Sequence, residues 1–340
     1  HLSDLLRRDV ASDPIITGVT ADSRKVAPGA LFVALPGTTA DGRAFIPQAL
    51  AQGAAAVLAP ADTPDGVAPV LVTSGDVRRA YAIAARGFYG AQPKTCVAVT
   101  GTNGKTSTVQ LITQALALSG ATAGSIGTLG AGLHGQLVAG ERTTPDVVAV
   151  HRLLAGIRDQ GASHVAMEVS SHALAQGRVD AVAFQVAVFT NLTRDHLDYH
   201  GDMETYGAAK ARLFQWPGLK GAAINLDDAV GATLPALLDE HVQCVGFSSR
   251  GRADAVVRAD APYRNVGDLL AAAKKQPGKL SFGSGSSSSR VAGEMLKQLA
   301  GVDLMHVPYK SNPLAITDLL GGQIDLMITD TSTGVPQVKS

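Results

Sequence analysis

The stretch Val97-Ala-Val-Thr-Gly101-Thr-Asn-Gly104-Lys105-Thr106-Ser107 decides the fold of the central part of this 340-residue chain. The apolar run Cys96–Thr100 has the length of a strand, and Lys105–Leu118 has the length and periodicity of a helix. A strand that passes through a glycine-containing turn into a helix directs backbone N–H groups and the helix dipole at one point. The strict phosphate-loop pattern requires Gly where this chain has Val99. The Gly-Lys-Thr turn still predicts phosphate binding, with the lysine on the β- and γ-phosphates and the threonine hydroxyl on Mg²⁺.

Strands alternate with helices on both sides of this loop, and this alternation predicts an α/β protein. In residues 1–90 it predicts a small α/β domain, with strands at Ala30–Leu35 and Ala54–Ala59 and a helix at Ile46–Gln52. After the loop we predict four strands, at His164–Val169, Gln185–Asn191, Ala222–Asn225 and Val242–Phe247. Three helices are predicted between them, at Val147–Gln160, Met203–Phe214 and Asp228–Glu240. Such an order is typical of a parallel sheet that is covered on both faces.

Composition excludes several classes of protein. The 29 Lys and Arg residues balance 29 Asp and Glu residues, which argues against a broad nucleic-acid-binding face. The cysteines, Cys96 and Cys244, are too few for a disulfide scaffold or a cysteine-based zinc site, and we expect both to be reduced. No apolar run approaches the ~18 residues that would span a membrane, and the first residues do not read as a signal peptide. The length predicts two domains, or at most three small ones.

Further polar residues follow the predicted strands at the same edge of the sheet as the phosphate loop. Glu168 either completes a Mg²⁺ shell there or caps the helix that follows it, and the sequence leaves both possibilities open. The run Asp195-His-Leu-Asp198 offers groups that bind metal or carry protons. On composition alone, Lys210 is an ordinary solvated lysine.

Residues 1 to about 255 resemble the Mur ligase family, and in particular its UDP-N-acetylmuramoyl-dipeptide:amino-acid ligases. The family's variant of the phosphate loop tolerates the missing first glycine. The resemblance rests on six motifs in order: Thr20-Ala-Asp-Ser-Arg24, Gly101-Thr-Asn-Gly-Lys-Thr106, Thr143-Thr-Pro-Asp146, Glu168-Val-Ser-Ser-His-Ala-Leu174, Asp195-His-Leu-Asp-Tyr-His200 and Tyr206-Gly-Ala-Ala-Lys210.

The resemblance implies a reaction. ATP phosphorylates the terminal carboxylate of UDP-MurNAc-L-Ala-D-Glu to an acyl phosphate, which the amine of an amino acid, diaminopimelate or lysine, then attacks. Positioning and charge neutralisation would supply most of the catalysis. The family works in the cytoplasm, with ATP and Mg²⁺ as cofactors.

The resemblance also implies a role for each matching residue. The catalytic residues would be Lys105, His196 and Lys210, the last of them as a carbamate. ATP would be bound by Gly101, Thr102, Asn103, Gly104, Lys105, Thr106, Ser107 and Asn191. Metal ions would be held by Thr106, Glu168, His196 and the Lys210 carbamate. The uridine nucleotide would contact Ser23 and Arg24, and the muramoyl-peptide would contact Thr143, Thr144, Ser170, Gln176 and Arg178.

After about residue 255 the chain resembles a different family, the Bug (TctC-like) periplasmic solute-binding proteins of tripartite tricarboxylate transporters. Four stretches carry this resemblance: Ala261–Leu270, Pro277–Ser284, His306–Lys310 and Asp318–Asp325. The run Ser284–Ser289 resembles that family's ligand loop for a carboxylate, and a flexible linker is the alternative. The predicted domains are therefore 1–90, an incomplete P-loop-type domain at 91–255, and a periplasmic-binding-protein-like α/β fragment at 256–340.

The change of family divides the functional hypotheses. No Asp-Asn-Pro-Arg motif of the third ligase domain occurs after Phe247, so we expect amide-ligase turnover to be impaired. The alternatives are a carboxylate-binding lobe of a transporter receptor and a chimera without function, because the two families work in different compartments.

Overall fold

The structure is a computed structural model that describes residues 1–37, 40–249, 257–258 and 266–328. These residues form two compact units, of which the first runs to Ser248 and the second contains most of the residues after it. The predicted junction at 248–260 lies largely outside the described residues, and the predicted division into three domains stays a prediction. In the described part of the chain, no helix is both long and apolar enough to cross a membrane.

The first unit begins with a four-stranded parallel sheet in the order β1-β2-β3-β4. Its strands are β1 (Gly18–Thr20), β2 (Ala30–Val33), β3 (Ala56–Pro60) and β4 (Leu71–Ser74). Its helices are α1 (Leu2–Leu6), α2 (Ile46–Ala51) and α3 (Val77–Tyr89), with 3₁₀ turns at Ser23–Lys25 and Gly42–Phe45. Alternate residues of β2 face opposite sides, so Leu31 packs in the core beneath α1 and α3, and Phe32 packs in the core beneath α2.

The second sheet has the strand order β13-β12-β11-β10-β5-β9-β6-β7-β8. Its strands are β5 (Thr95–Thr100), β6 (Ala123–Gly127), β7 (Gly130–Leu133), β8 (Gln136–Val138), β9 (His164–Glu168), β10 (Phe184–Phe189), β11 (Gly221–Asn225), β12 (Gln243–Ser248) and β13 (Val257–Arg258). Its helices are α4 (Lys105–Leu118), α5 (Val147–Asp159), α6 (Ser171–Ala175), α7 (Leu197–His200) and α8 (Met203–Ala211), and α8 continues as a 3₁₀ turn at Arg212–Gln215.

The predicted parallel pairing is confirmed for the five strands that were predicted in this sheet, β5, β9, β10, β11 and β12. The strands β6, β7 and β8 at one edge were not predicted, and β6 pairs parallel with β9. There β7 and β8 pair antiparallel, because only two residues separate β6 from β7 and two separate β7 from β8. A two-residue loop can close a hairpin but is too short for the crossover that a parallel pair needs. All the predicted strands of the first and second sheets are present, and their ends are shifted by at most a few residues.

The predicted helix at Asp228–Glu240 is wrong, since this segment contains only a 3₁₀ helix at Gly231–Leu237. Pro235 lies inside it and has no N–H for an α-helical hydrogen bond. The Asp228 carboxylate accepts from the backbone N–H groups of Val230 and Gly231, at 2.9 and 3.0 Å, which stabilises a local turn instead.

The second unit contains a three-stranded parallel sheet in the order β15-β14-β16. Its strands are β14 (Ser281–Ser284), β15 (Met305–Pro308) and β16 (Leu326–Met327), and its helices are α9 (Val266–Lys275), α10 (Ser287–Ala300) and α11 (Asn312–Leu320). The core of this unit is built from Ala273, Leu280, Phe282, Val302 and Leu304. The predicted α/β pattern of this region is therefore present in its described residues.

Candidate active site

The loop between β5 and α4 is shaped by two glycines. Gly101 has a φ of +148°, and Gly104, the N-cap of α4, has a φ of +81°. A Cβ on Gly101 would lie 1.9 Å from Oγ1 of Thr190, so only glycine lets the loop approach the end of β10 this closely. Ser107 is exposed in the first turn of α4.

The segment after β10 holds the loop in place. The backbone N–H of Asn103 donates to Oδ1 of Asn191 at 2.9 Å, and the Thr190 hydroxyl donates to the Asn103 carbonyl at 2.6 Å. The backbone N–H of Thr102 donates to the Asn191 carbonyl at 2.8 Å. The side chain and the carbonyl of Asn191 therefore both accept hydrogen bonds from the loop that is predicted to bind the nucleotide.

Lys105 folds back over the loop. Its ammonium group donates to the carbonyls of Gly101 at 2.9 Å and Thr102 at 2.8 Å. Burial lowers the pKa of Lys105, while the negative charges of Glu168 and Asp195 oppose that shift. The side chain is thus held at the loop that is predicted to bind phosphate.

Lys210 is buried beside the same loop, although its sequence context suggests a solvated lysine. Its side chain is 1% exposed, and its Nζ donates to the Gly101 carbonyl at 2.9 Å and lies 4.6 Å from the centre of the Tyr206 ring. Burial, followed by repulsion from Lys105, lowers the pKa of Lys210 to about 7. At neutral pH a large fraction of this amine is therefore unprotonated.

Glu168 is 1% exposed at the end of β9 and faces the start of α4. Its Oε2 accepts from the Thr106 hydroxyl at 2.9 Å, and its Oε1 accepts from the backbone N–H of Thr128 at 2.7 Å. The following helix, α6, is capped by Ser170, whose Oγ accepts from the backbone N–H of Ala173 at 3.2 Å. Of the two possibilities for Glu168, helix capping is therefore wrong.

Thr106 and Glu168 provide two oxygen donors side by side, which suits a hard cation such as Mg²⁺. Mg²⁺ keeps several waters and takes one or two carboxylates together with substrate phosphates, so it does not need a larger protein cage. Within the described residues, no group of three or more His, Cys, Asp and Glu side chains could hold a metal on its own.

His196 belongs to a ring cluster at this edge of the sheet. It adopts a left-handed backbone with a φ of +53°, and its Nε2 lies 3.5 Å from the Asp195 carboxylate. Its ring centre is 4.8 Å from that of His172, and no hydrogen bond joins it to Glu168 in the described ranges. The predicted metal pair of Glu168 and His196 is therefore not joined by a direct contact.

Two other histidines of this cluster were not predicted from the sequence. The His200 ring is buried beside Tyr206, 5.2 Å away between centres, and its Nε2 lies 3.0 Å from the Ser171 hydroxyl. The His172 ring lies 4.2 Å from that of Tyr199, and burial lowers the pKa of His172. The sequence signal that could have identified these two histidines is their position after strands that end at the same edge of the sheet.

The residues predicted to contact the muramoyl-peptide are brought together. The Thr144 hydroxyl donates to the Glu168 carbonyl at 2.9 Å and accepts from the Ser170 N–H at 3.1 Å. Arg178 donates to the Thr144 carbonyl at 3.1 Å and to Oε1 of Gln176 at 2.8 Å. Thr143 joins this group through its hydroxyl, 3.0 Å from that of Thr128.

Ser23 and Arg24 lie in a different part of the first unit, after β1. The Ser23 hydroxyl donates to Oε1 of Gln48 at 3.0 Å, and Arg24 pairs with Asp22 at 2.9 Å while 82% of its side chain is exposed. The Arg24 guanidinium is therefore exposed while Asp22 accepts from two of its nitrogens.

The serine run of the second unit is an ordered turn rather than a linker. Ser284 ends β14, Ser286 caps α10, and the helix begins at Ser287. The Ser284 hydroxyl lies 2.7 Å from Nε2 of His306. The predicted carboxylate ligand of this loop stays a prediction.

Comparison with known proteins gives two family matches. A model described as "Mur ligase middle domain" matches residues 99–295, and one described as "Mur ligase family, catalytic domain" matches residues 15–86. The first match extends beyond the boundary predicted at 255.

Among the relatives, a UDP-N-acetylmuramoyl-L-alanyl-D-glutamate--2,6-diaminopimelate ligase from Xanthomonas oryzae pv. oryzae is 56% identical over 267 residues, which are 76% of this chain and 54% of that protein. A solved structure of a ligase with the same name has a TM-score of 0.67 at 33% identity and covers 76% of this chain and 54% of its own. The chain thus spans about half the length of the curated relatives it matches.

A structure described as that of a periplasmic transporter matches 23% of this chain and 27% of its own, at 36% identity and a TM-score of 0.23. At that score the likeness carries no argument, and the predicted solute-binding fragment has no support from the family matches, which name only Mur ligases.

Proposed function

Because the chain belongs to the Mur ligase family, we propose that it carries the ATP-binding and precursor-binding parts of an amide ligase of peptidoglycan synthesis. The proposed substrates are ATP, UDP-MurNAc-L-Ala-D-Glu and 2,6-diaminopimelate, and the proposed location is the cytoplasm. Diaminopimelate is preferred to lysine because the similar ligases are named for it. The observation that carries the proposal is the meeting of Lys105 and Lys210 at the Gly101 carbonyl.

Phosphoryl transfer is the first proposed step. A carboxylate oxygen of the D-Glu residue attacks the γ-phosphorus of ATP, the bond from that phosphorus to the β,γ-bridging oxygen breaks, and ADP leaves. The Gly101–Thr106 loop, with N–H groups at the start of α4, would orient the phosphates, and Lys105 would offset their charge. Positioning and electrostatics dominate catalysis of this class.

Mg²⁺ would be held by Thr106 and Glu168 together with phosphate oxygens and water, and when bound it would neutralise charge on the phosphates. The 2.9 Å contact between Thr106 and Glu168 supports this assignment. A role of His196 as a further ligand stays part of the proposal, without a direct contact to Glu168 behind it.

Lys210 is proposed to act as a carbamate. Its neutral amine attacks CO₂, an N–C bond forms, and one amine proton passes to solvent. Burial and the lowered pKa support this reaction because they favour the unprotonated amine. The hydroxyl of Thr100, the residue before Gly101, is buried and has no hydrogen-bond partner in the described residues.

Amide formation is the second proposed step. The amine of diaminopimelate attacks the acyl carbon, the carbon–oxygen bond to phosphate breaks, and inorganic phosphate leaves as the nitrogen loses its proton. The group of Thr143, Thr144, Ser170, Gln176 and Arg178 would orient the muramoyl-peptide, because it adjoins Glu168 at the sheet edge. Ser23 and Arg24 would contact the uridine nucleotide.

Calorimetric titration of UDP-MurNAc-L-Ala-D-Glu into the purified chain tests this proposal. We expect one-to-one binding that weakens at least roughly tenfold in Arg178→Ala. Arg152→Ala, an exposed arginine of α5, is the matched control and should bind as the unaltered chain does. Binding of citrate in place of the precursor would contradict the proposal and favour the solute-binding alternative.

A further inference from the structure

Gln92 lies in the short segment that joins the first sheet to the second. This segment runs from the end of α3 at Tyr89 to the start of β5 at Thr95. The Gln92 side chain is partly buried, and its hydrogen bonds go neither to α3 nor to β5. It reaches instead to α5 and to the turn at 180–183, which precedes β10.

Three hydrogen bonds fix the Gln92 amide. Its Nε2 donates to the Ala181 carbonyl at 3.2 Å and lies 3.2 Å from Nδ1 of His151. Its Oε1 accepts from the backbone N–H of Ala183 at 2.9 Å. The backbone groups have fixed roles, so the orientation of the amide is determined: its nitrogen faces Ala181 and its oxygen faces Ala183.

This orientation also determines the tautomer of His151. Because Gln92 donates to Nδ1, that nitrogen must be the acceptor, and Nε2 must carry the proton that is donated to the Asp180 carbonyl, 3.0 Å away. His151 is 2% exposed, and burial lowers its pKa to about 4, so it is neutral at neutral pH. Every nitrogen of the pair Gln92 and His151 is thereby partnered.

The same turn is held from the first sheet. Arg86, in the last turn of α3, donates to the Ala181 carbonyl at 3.2 Å. Ala181 adopts a left-handed backbone with a φ of +61°, a conformation that is unfavourable for a residue with a side chain. The contacts from Gln92, His151 and Arg86 stabilise this turn in a conformation that it would not adopt alone.

Apolar packing surrounds these polar contacts. Tyr81 and Ala84 of α3 belong to one core cluster with Val147 at the start of α5, and Ala181 packs against that cluster. Apolar burial holds two layers together but is not directional. Hydrogen bonds in a fully partnered network specify one arrangement.

We propose that Gln92 is a positioning residue that fixes the orientation of the first sheet relative to the second. On the proposed function, a ligand whose uridine contacts Ser23 and Arg24 and whose peptide contacts Thr144 and Arg178 must bind both sheets at once. When the orientation is fixed, the distance between these two sets of contacts has a single value. Loss of the Gln92 contacts therefore weakens the binding of a ligand that bridges the sheets more than the binding of a ligand that contacts either sheet alone.

Distances between two spin labels test the orientation directly, without any ligand. The labels are placed at Ala51→Cys, on α2, and at Lys220→Cys, before β11, both of them exposed positions. The exposed Cys244 is first replaced by Ser so that it takes no label. We expect one narrow distance distribution in this background and a broadened or shifted one after Gln92→Ala.

Two further variants control the measurement. Gln92→Glu keeps the acceptor for Ala183 but removes both donors, so it should also broaden the distribution, and it decides the matter if Gln92→Ala does not fold. Gln160→Ala removes an exposed glutamine whose amide bonds only within its own helix end, and it should leave the distances unchanged. Unchanged distances in the folded Gln92 variants would overturn the proposal.

Ligand binding provides the second readout. We expect Gln92→Ala to weaken the binding of UDP-MurNAc-L-Ala-D-Glu at least roughly tenfold. The affinities for UDP and for ATP should stay within about twofold of those of the unaltered chain. An equal loss for all three ligands would indicate a merely structural role and overturn the proposal. If the unaltered chain binds no precursor, the proposed function fails, and the spin-label distances still decide the role of Gln92.

Discussion

The ammonium groups of Lys105 and Lys210 both donate to the carbonyl oxygen of Gly101, each at 2.9 Å. Two like charges on one acceptor repel each other, and burial lowers the pKa of both lysines. The repulsion between the two lysines decreases when a negative charge is placed beside them, either as phosphate near Lys105 or as a carbamate on Lys210. This pair is therefore the electrostatic centre of the candidate site.

Lys210 should form a carbamate in the presence of CO₂. In ¹³C-bicarbonate buffer, NMR should show a carbamate carbon signal from the unaltered chain that is absent in Lys210→Ala. Lys220→Ala, an exposed lysine, is the control and should keep the signal. A chain that lacks the signal while still binding ATP would remove the carbamate from the account.

Glu168→Gln should abolish the effect of Mg²⁺ on ATP binding. Glutamine must turn its NH₂ group toward one of the donors that Glu168 accepts from, the Thr106 hydroxyl or the Thr128 N–H, and it has no charge for a cation. Titration of ATP with Mg²⁺ and with EDTA should give different affinities for the unaltered chain and equal ones for the variant. Glu141→Gln, at an exposed glutamate, should keep the difference; an unchanged Mg²⁺ effect in Glu168→Gln would contradict the metal assignment.

Gly101→Ala should reduce ATP affinity at least roughly tenfold, because the new Cβ would lie 1.9 Å from the Thr190 hydroxyl and displace the loop. Gly120→Ala is the control that separates the effect of this steric clash from the effect of a side chain at a positive φ. Gly120 also has a positive φ, +86°, but a Cβ there would meet nothing within 4 Å. It should cost about 1–2 kcal/mol of stability and leave ATP affinity unchanged. Equal ATP affinities of the two variants would contradict the steric argument.

His151 should make the first unit less stable in acid. Its pKa is about 4 in the folded chain, below the roughly 6.5 of an unfolded one, so the unfolded chain binds more protons between these values. Its contribution is complete above pH 6.5 and is lost as the pH falls toward 4, by about 2 kcal/mol at pH 5.

Urea unfolding at pH 7 and pH 5 measures this contribution. The fall in stability between the two pH values should be smaller in His151→Gln than in the unaltered chain, since all other titrating groups are shared. An equal fall in both proteins would show that His151 is not held neutral.

The central site could be predicted from the sequence because its signals are local. The glycine turn, the lysine and threonine after it, and the strand ends at Glu168 and Asn191 each follow from a short pattern with a physical meaning. The helix α4 begins and ends where its periodicity predicts.

The features that the sequence could not predict depend on burial and on contacts between distant segments. Lys210 has the local pattern of a surface lysine, and only the packing of α8 against the loop buries it. The antiparallel edge at β7 follows from loop length rather than from hydrophobic alternation. Gln92 and His151 are 59 positions apart, and neither belongs to a motif.

The most direct test of the account is whether the two proposed substrates bind together at the sheet edge. The chain is saturated with a non-hydrolysable ATP analogue and Mg²⁺, and UDP-MurNAc-L-Ala-D-Glu is then titrated by calorimetry. The account predicts a ternary complex with one nucleotide and one precursor per chain. Nucleotide binding should be weakened in Gly101→Ala, and precursor binding should be weakened in Arg178→Ala. Binding of neither ligand to the folded chain, or binding of only one at a time, would contradict it.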